Sequence, residues 1–176
     1  MKNLMIIALV AFTFISLNTK AQQSDAIITK SVVINASADD VWERLRQLDK
    51  LEEIVPSFLA TSWIVDGVKP GVGAKRSCAA PGQPKGEASY TEQVIEYDDE
   101  KRFYSYAVIE GVPAKNMLNM FKVVDLGYKK CMVVWNSTGW EFIENPNMTK
   151  EQFMGFLSSA GDEMMTTLYK LHNGKS

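Results

Sequence analysis

From residue 59 to residue 138 the apolar residues recur at every second position in one short segment after another, and no connection between segments is long enough to hold a helix. Parallel neighbours need a crossover of a dozen or more residues, so strands joined this closely must pair antiparallel. The segments are residues 59–65, 74–78, 88–97, 102–109, 116–124 and 130–138. Ordinary turn chemistry separates them: Asp66-Gly67, Pro70-Gly71, residues 81–86, Asp98-Asp99, Gly111 to Pro113 and Leu126-Gly127. This part of the chain is therefore expected to be a meander.

The flanks follow other periods. Residues 27–35 (IITKSVVIN) are β-branched and apolar enough for one more strand. Ser37 then stands as an N-cap with Asp40 at the third helical position, and Val41, Leu45 and Leu48 recur at i, i+4, i+7, which predicts a short helix to about Gln47. Asp49 can cap a second short helical piece, Leu51 to Ile54, which Pro56 stops. At the far end Thr149 and Gln152 form another capping box, and Phe153, Phe156, Leu157, Ala160, Met164, Leu168 and Leu171 make one apolar stripe. With a C-cap at Asn173-Gly174, this helix would be roughly 36 Å long at ~1.5 Å per residue.

The first residues read as a targeting segment. Lys2, the apolar run 4–17 and the small residues Thr19 and Ala21 predict a cleaved secretory signal over residues 1–21, with one mature domain over residues 22–176. The run is shorter than the ~20 residues a spanning helix needs, so no stable membrane insertion is expected after cleavage; the alternative is an anchor with Lys20 as its stop flank. The first reading implies a secreted or periplasmic protein. That compartment would permit a Cys78–Cys131 bridge, the alternative being two small buried thiols.

Charge and motif content exclude several functions. A net charge of −2 without a Lys/Arg block argues against a nucleic-acid partner or a polybasic membrane-surface segment. His172, the lone histidine, lies at the end of the last helix, which excludes a His-based triad and a multi-His metal site. Neither a P-loop, a GxGxxG fingerprint nor a GxSxG elbow is present, so no cofactor is expected. Of the glycosylation sequons at Asn35, Asn136 and Asn147, the first two fall in predicted strands.

The order strand, two small helices, meander, long helix carries the motifs VVINASADDVWERL, PGVGAKR, YTEQVIEYDDEKRFYSYAVIEG, PAKNMLNMFKV and CMVVW. In that order and spacing they resemble the START-like or SRPBCC superfamily, with its polyketide cyclase/dehydrase-like members, pollen-allergen-like proteins and plant abscisic acid receptors. The resemblance covers about residues 27–171. It implies an α+β helix-grip fold: a curved seven-stranded antiparallel sheet, two short helices, and a long C-terminal helix gripped over a ligand cavity.

Alternation assigns the faces of the central strands. Tyr90, Glu92 and Val94, then Tyr104, Tyr106 and Val108, then Met117, Asn119, Phe121 and Val123 share one side. That side is the more aromatic and apolar, so it should face the helix. On the last strand Val133 and Trp135 compete with Val134 and Asn136, and parity alone does not choose. The expected ligand-contacting set is Tyr90, Glu92, Tyr104, Tyr106, Val108, Met117, Asn119 and Phe121, with Phe156, Ala160, Met164 and Leu168 from the helix. The resemblance adds detail: Thr91-Glu92 matches a motif whose Glu reaches the pocket in the hormone-receptor branch, and Asn116-Met117 matches an Asn-aromatic pair with Met in place of the ring. It also implies a lid at residues 110–115, with Gly111, Val112, Pro113 and Ala114 at its tip. The receptors' own lid signatures are not reproduced, so neither their hormone nor their gating carries over.

Each of these residues has a plainer reading beside the functional one. Glu92 is either a polar anchor or acid–base group, its pKa raised unless Lys75, Arg76 or a tyrosine meets it, or a Glu at the sheet edge that is exposed or structurally paired. The tyrosines either orient a ligand oxygen or fill a closed core. Met117, Met154, Met164 and Met165 either line an adaptable pocket or simply pack, and the 111–114 tip is either a lid or a tight hairpin packed on the last helix. Three functions follow: an exported protein binding a small hydrophobic molecule or lipid; a cyclase- or dehydratase-like enzyme using Glu92; and a non-catalytic accessory protein with a protein partner in an exported system.

Overall fold

The computed structural model describes residues 27–65, 70–84 and 86–174. The expected signal segment 1–21 and the expected Asp66-Gly67 turn lie outside the described residues. In chain order the elements are β1 (Ile28–Ile34), α1 (Ala38–Leu45), a 3-10 segment (Leu48–Glu53), β2 (Thr61–Ile64), β3 (Lys75–Ala79), β4 (Tyr90–Asp98), β5 (Phe103–Glu110), β6 (Ala114–Lys115), β7 (Leu118–Gly127), β8 (Lys130–Thr138), β9 (Glu141–Phe142) and α2 (Lys150–Asn173).

Seven strands form one antiparallel sheet in the order β1-β8-β7-β5-β4-β3-β2. The meander is thus extended by β1, the first strand in the chain, which pairs with β8, the last long one. Register shifts at Thr91/Glu92 and Val94/Glu96 mark one extra residue on β5, Ile109, and one on β4, Ile95, and a bulge bends its strand. The sheet curves around α2, in the expected helix-grip arrangement.

Local chemistry explains the helix ends. Ser37 Oγ accepts the Asp40 amide at the start of α1, and Thr149 with Gln152 closes a reciprocal capping box at the start of α2. The α1 helix is tied to the β4–β5 turn through Asp99, whose Oδ1 accepts hydrogen bonds from Trp42 Nε1 (2.8 Å), Tyr97 Oη (3.0 Å) and Arg46 Nη1 (3.1 Å). These donors, Trp42 first, hold the Asp99 carboxyl below its ordinary range. No helix among the described residues is long and apolar enough to cross a membrane.

Four local expectations need correction or completion. The predicted strand 116–124 is broken: Asn116 adopts φ +57, Ala114–Lys115 pairs instead with β9, and β7 begins at Leu118. The second helical piece begins at Leu48 without a side-chain cap, so Asp49 lies inside it instead of capping it, and it is 3-10 with a non-helical Lys50. On β8 the inward residues are Cys131, Val133, Trp135 and Ser137, which decides the parity. Cys78 and Cys131 are both free and buried. Three strands separate them in the sheet, so four spacings of ~4.8 Å put them roughly 19 Å apart, beyond disulfide reach.

Two apolar clusters hold α2 to the sheet. The larger joins Met164, Met165 and Leu168 to Ile34, Val123, Val133 and α1 residues such as Val41 and Leu45. The smaller gathers Met117, Trp140, Phe153 and Leu157 around the N-terminal end of α2. Gly161 sits where the helix comes closest: a Cβ there would lie 2.8 Å from Trp135 Cζ3 and 2.8 Å from Lys30 Cγ. Both neighbours would have to give way, so Gly161→Val should lower stability by about 1–3 kcal/mol in urea unfolding. Unchanged stability would mean that α2 is not packed this tightly.

Candidate ligand cavity

Alternation along β4, β5 and β7 carries large side chains toward α2, yet the two clusters do not fill the space between them. A cavity of about 240 Å³ remains. Its sheet wall is Tyr90 and Glu92 of β4, Tyr106 and Val108 of β5, Met117 and Asn119 at the start of β7, and Trp135 of β8. Phe153, Phe156, Leu157, Ala160 and Met164 form the helix wall. A third wall comes from Leu51, Val55, Phe58 and Leu59, with Phe58 packed edge-on against Phe156 at 5.0 Å.

Most of the expected ligand-contacting residues therefore line one space, but three do not. Tyr104, Phe121 and Leu168 lie deeper in the core, each no more than 1% exposed. Tyr104 is covered by Trp42 of α1 at 6.0 Å and by Phe121 at 5.6 Å, so that end of the sheet is closed by the first helix. Sequence reasoning missed the third wall, because a helical period over residues 48–54 does not say what the helix covers. Trp135 was missed as well, since the parity of its strand was open.

The polar group at the inner end of the cavity is an ion pair. Arg76 and Glu92 are direct partners across β3 and β4, and both are buried. Glu92 Oε2 accepts from Arg76 Nε at 2.8 Å and also from Nη2, while Nη1 donates to the Leu48 carbonyl at 3.3 Å. The guanidinium lies 5.2 Å from the centroid of the Tyr106 ring. Of the candidate partners for Glu92, Arg76 is the one that meets it; Lys75 is exposed. Of the plainer reading of Glu92, the sheet-edge position does not hold, since β4 lies between β3 and β5, whereas the structural pairing does.

Burial raises the Glu92 carboxyl above its ordinary value, and the guanidinium offsets only part of that penalty. Desolvation opposes the Arg76 charge most strongly, but the Glu92 carboxylate, joined by smaller contributions from Cys78, Tyr104 and Tyr106, outweighs it, so the arginine is held firmly protonated. Burial pushes Tyr90 and Tyr106 well up and Tyr104 to about 12, so all three phenols keep their protons. It pushes the Cys78 thiol up to about 12 too, which removes it as a nucleophile.

Two further polar side chains complete the wall. Tyr106 Oη accepts from Trp135 Nε1 at 3.1 Å. Asn119 is only 4% exposed, and its Oδ1 has no hydrogen-bond partner. Among the described residues no group of three His, Cys, Asp or Glu side chains could hold a metal ion.

The tip at 111–114 sits over the mouth and is stitched down. Gly111, Val112 and Pro113 line the cavity, together with Met148. Gly111 has φ +88, and a Cβ there would lie 2.1 Å from the Ser89 carbonyl oxygen, so the turn needs glycine twice over. Ile143 N donates to the Pro113 carbonyl at 2.8 Å, and Ala114 pairs with Phe142. Ala114 is thus a corrected lid residue: it packs on the Met117–Trp140 cluster instead of lining the cavity. The hairpin-tip geometry and the position over the mouth are both present.

Removing one member of a buried pair strands the other. Glu92→Ala is expected to cost about 3–5 kcal/mol in urea unfolding, while the double variant Arg76→Met/Glu92→Leu should recover most of that loss. Equal losses in single and double variants would show that the two charges do not depend on each other.

Residues 25–156 match the family described as polyketide cyclase / dehydrase and lipid transport. Among solved structures, the chain is similar to the protein XoxI from Bacillus cereus, at 19% identity over 84% of this chain and 95% of that one, with a TM-score of 0.68. It is similar to the Zhui aromatase/cyclase from Streptomyces sp. R1128, at 15% identity over 85% and 94%, with a TM-score of 0.68. It is also similar to norcoclaurine synthase from Thalictrum flavum in complex with dopamine and hydroxybenzaldehyde, at 21% identity over 98% of each chain, with a TM-score of 0.63. No curated protein matches. At these identities the structural likenesses speak for the fold alone. The family match over most of the chain goes further, and with the cavity between sheet and helix it means that this protein belongs to the polyketide cyclase / dehydrase and lipid transport family.

Proposed function

We propose that this protein is an exported binder of a small hydrophobic molecule, held between the sheet and α2. The observation that carries this reading is the cavity itself: an unfilled space of about 240 Å³ with a nearly continuous apolar and aromatic lining. A protein interior is normally packed to the density of an organic crystal, so a gap of this size lined by Val108, Met117, Leu157 and Met164 favours an apolar occupant. The tip at Val112 and Pro113 would then cover the bound molecule, and the methionines would adapt to its shape.

Acid–base catalysis is supported less well. Glu92 faces the cavity, but its Oε2 is engaged by two guanidinium donors, and a proton-transfer role would require it to leave that pair. The phenols nearby stay protonated, which suits hydrogen bonding better than proton abstraction. A cyclase- or dehydratase-like activity is therefore the second reading. An accessory role with a protein partner would depend on the surface and draws no support from the cavity.

Export rests on the pattern of residues 1–21. Intact mass of protein recovered from its host is expected to begin near Gln22; a chain retaining Met1 inside the cell would remove export from the proposal. For binding, a neutral solvatochromic dye should bind saturably to the mature protein, and Met164→Trp should weaken it about tenfold by occupying the space. Tyr106→Ala should weaken it as well. Folded variants that both bind like the parent would rule out this cavity.

A further inference from the structure

Resting on that binding reading, we propose that the cavity takes a small uncharged molecule whose hydroxyl group pairs with the Asn119 amide, and that it turns away carboxylate-headed lipids. Three observations point to this class.

The first is size. A space of about 240 Å³ lies below the ~300 Å³ at which pockets for drug-sized ligands begin. A one- or two-ring body or a short chain fits within the walls, whereas a two-tailed lipid would have to extend out through the open mouth.

The second is charge. Among the described residues Glu92 is the only charged one in the cavity lining, and Arg76 behind it is committed to Glu92 Oε2 and to the Leu48 carbonyl. An anionic head group would meet a carboxylate in a low-dielectric wall with no cation left to pair with. A cationic head would find Glu92 already neutralised.

The third is the unpaired amide. Asn119 lines the cavity from β7, is almost wholly buried, and leaves Oδ1 without a partner. Buried polar groups are nearly always hydrogen-bonded, so an orphan amide in the wall of an apolar space calls for a partner atom, which a ligand can supply once the amide turns toward it. A hydroxyl both donates and accepts, and so satisfies either end of the amide. Tyr106, opposite Asn119 across β5 and β7, accepts from Trp135 and retains its own proton for the same hydroxyl oxygen.

Three probes with one body separate the possibilities: 2-naphthol, 2-methylnaphthalene and 2-naphthoate, titrated against the mature protein at neutral pH with calorimetric detection. Naphthol is expected to bind about tenfold more tightly than methylnaphthalene, the ratio that one hydrogen bond to a buried group supplies, and naphthoate most weakly. Asn119→Leu should bring naphthol down to the methylnaphthalene affinity. Glu92→Gln should raise naphthoate affinity, because the Arg76 charge is then free; the Asn119→Leu arm stands whether or not that variant folds. Naphthoate binding tightest to the parent protein, or a naphthol advantage that survives Asn119→Leu, would overturn the assignment. In the latter case a buried water between Asn119 and Ser137 Oγ, which is also unpartnered, satisfies the amide instead. If none of the three binds to folded protein, the binding reading itself fails and takes the head-group assignment with it.

Discussion

A curved sheet and a single helical rod cannot stay in contact along their whole length. Here α2 touches the sheet at two places, through Met164, Met165 and Leu168 at one end and through Phe153 and Leu157 at the other. Between them Gly161 lies against Trp135 and Lys30, while on the side of β4 and β5 the sheet stands away from the helix and side chains do not reach across. The cavity is thus a consequence of geometry more than of any one residue. Bulges in β4 and β5 help to set the curvature, and Gly161 sets how near the helix comes.

The end contacts make the gap tolerable. One end is sealed by α1, whose Trp42 covers Tyr104 and whose position is fixed by the three donors on Asp99. The other is sealed by Trp140 and by the stitched loop at Gly111 to Ala114. What is left has walls but an incomplete roof. Its inner polar group is a buried ion pair, which is weak as a source of stability because desolvating both charges offsets most of their attraction. Its role here is better described by what it does to the cavity: it presents Glu92 to the interior while removing Arg76 as a free cation.

Much of the fold was legible from pattern. Strand periodicity, turn chemistry and the two helix caps placed most elements within a residue or two, since each depends on neighbours close in the chain. Strand pairing by short connections is likewise local. The mistakes came where a distant segment intervened: residues 114–115 left the expected strand because β9, a two-residue segment without its own alternation, offered a partner. Alternation also told side from side without telling depth. Tyr104, Tyr106 and Val108 share a face, yet Tyr104 is closed off by α1 while the next two line the cavity.

By itself, then, the sequence determined the antiparallel sheet, the long amphipathic helix and the identity of the inward face, because periodicities of two and 3.6 residues are written along the chain. Only the tertiary structure decided that Arg76, rather than Lys75 or a tyrosine, would meet Glu92, that residues 51–59 would wall the cavity, and that Asn119 would be left unpaired. Those outcomes depend on which strands become neighbours and on how far a curved sheet stands from the helix it holds, and neither quantity is encoded in any local stretch.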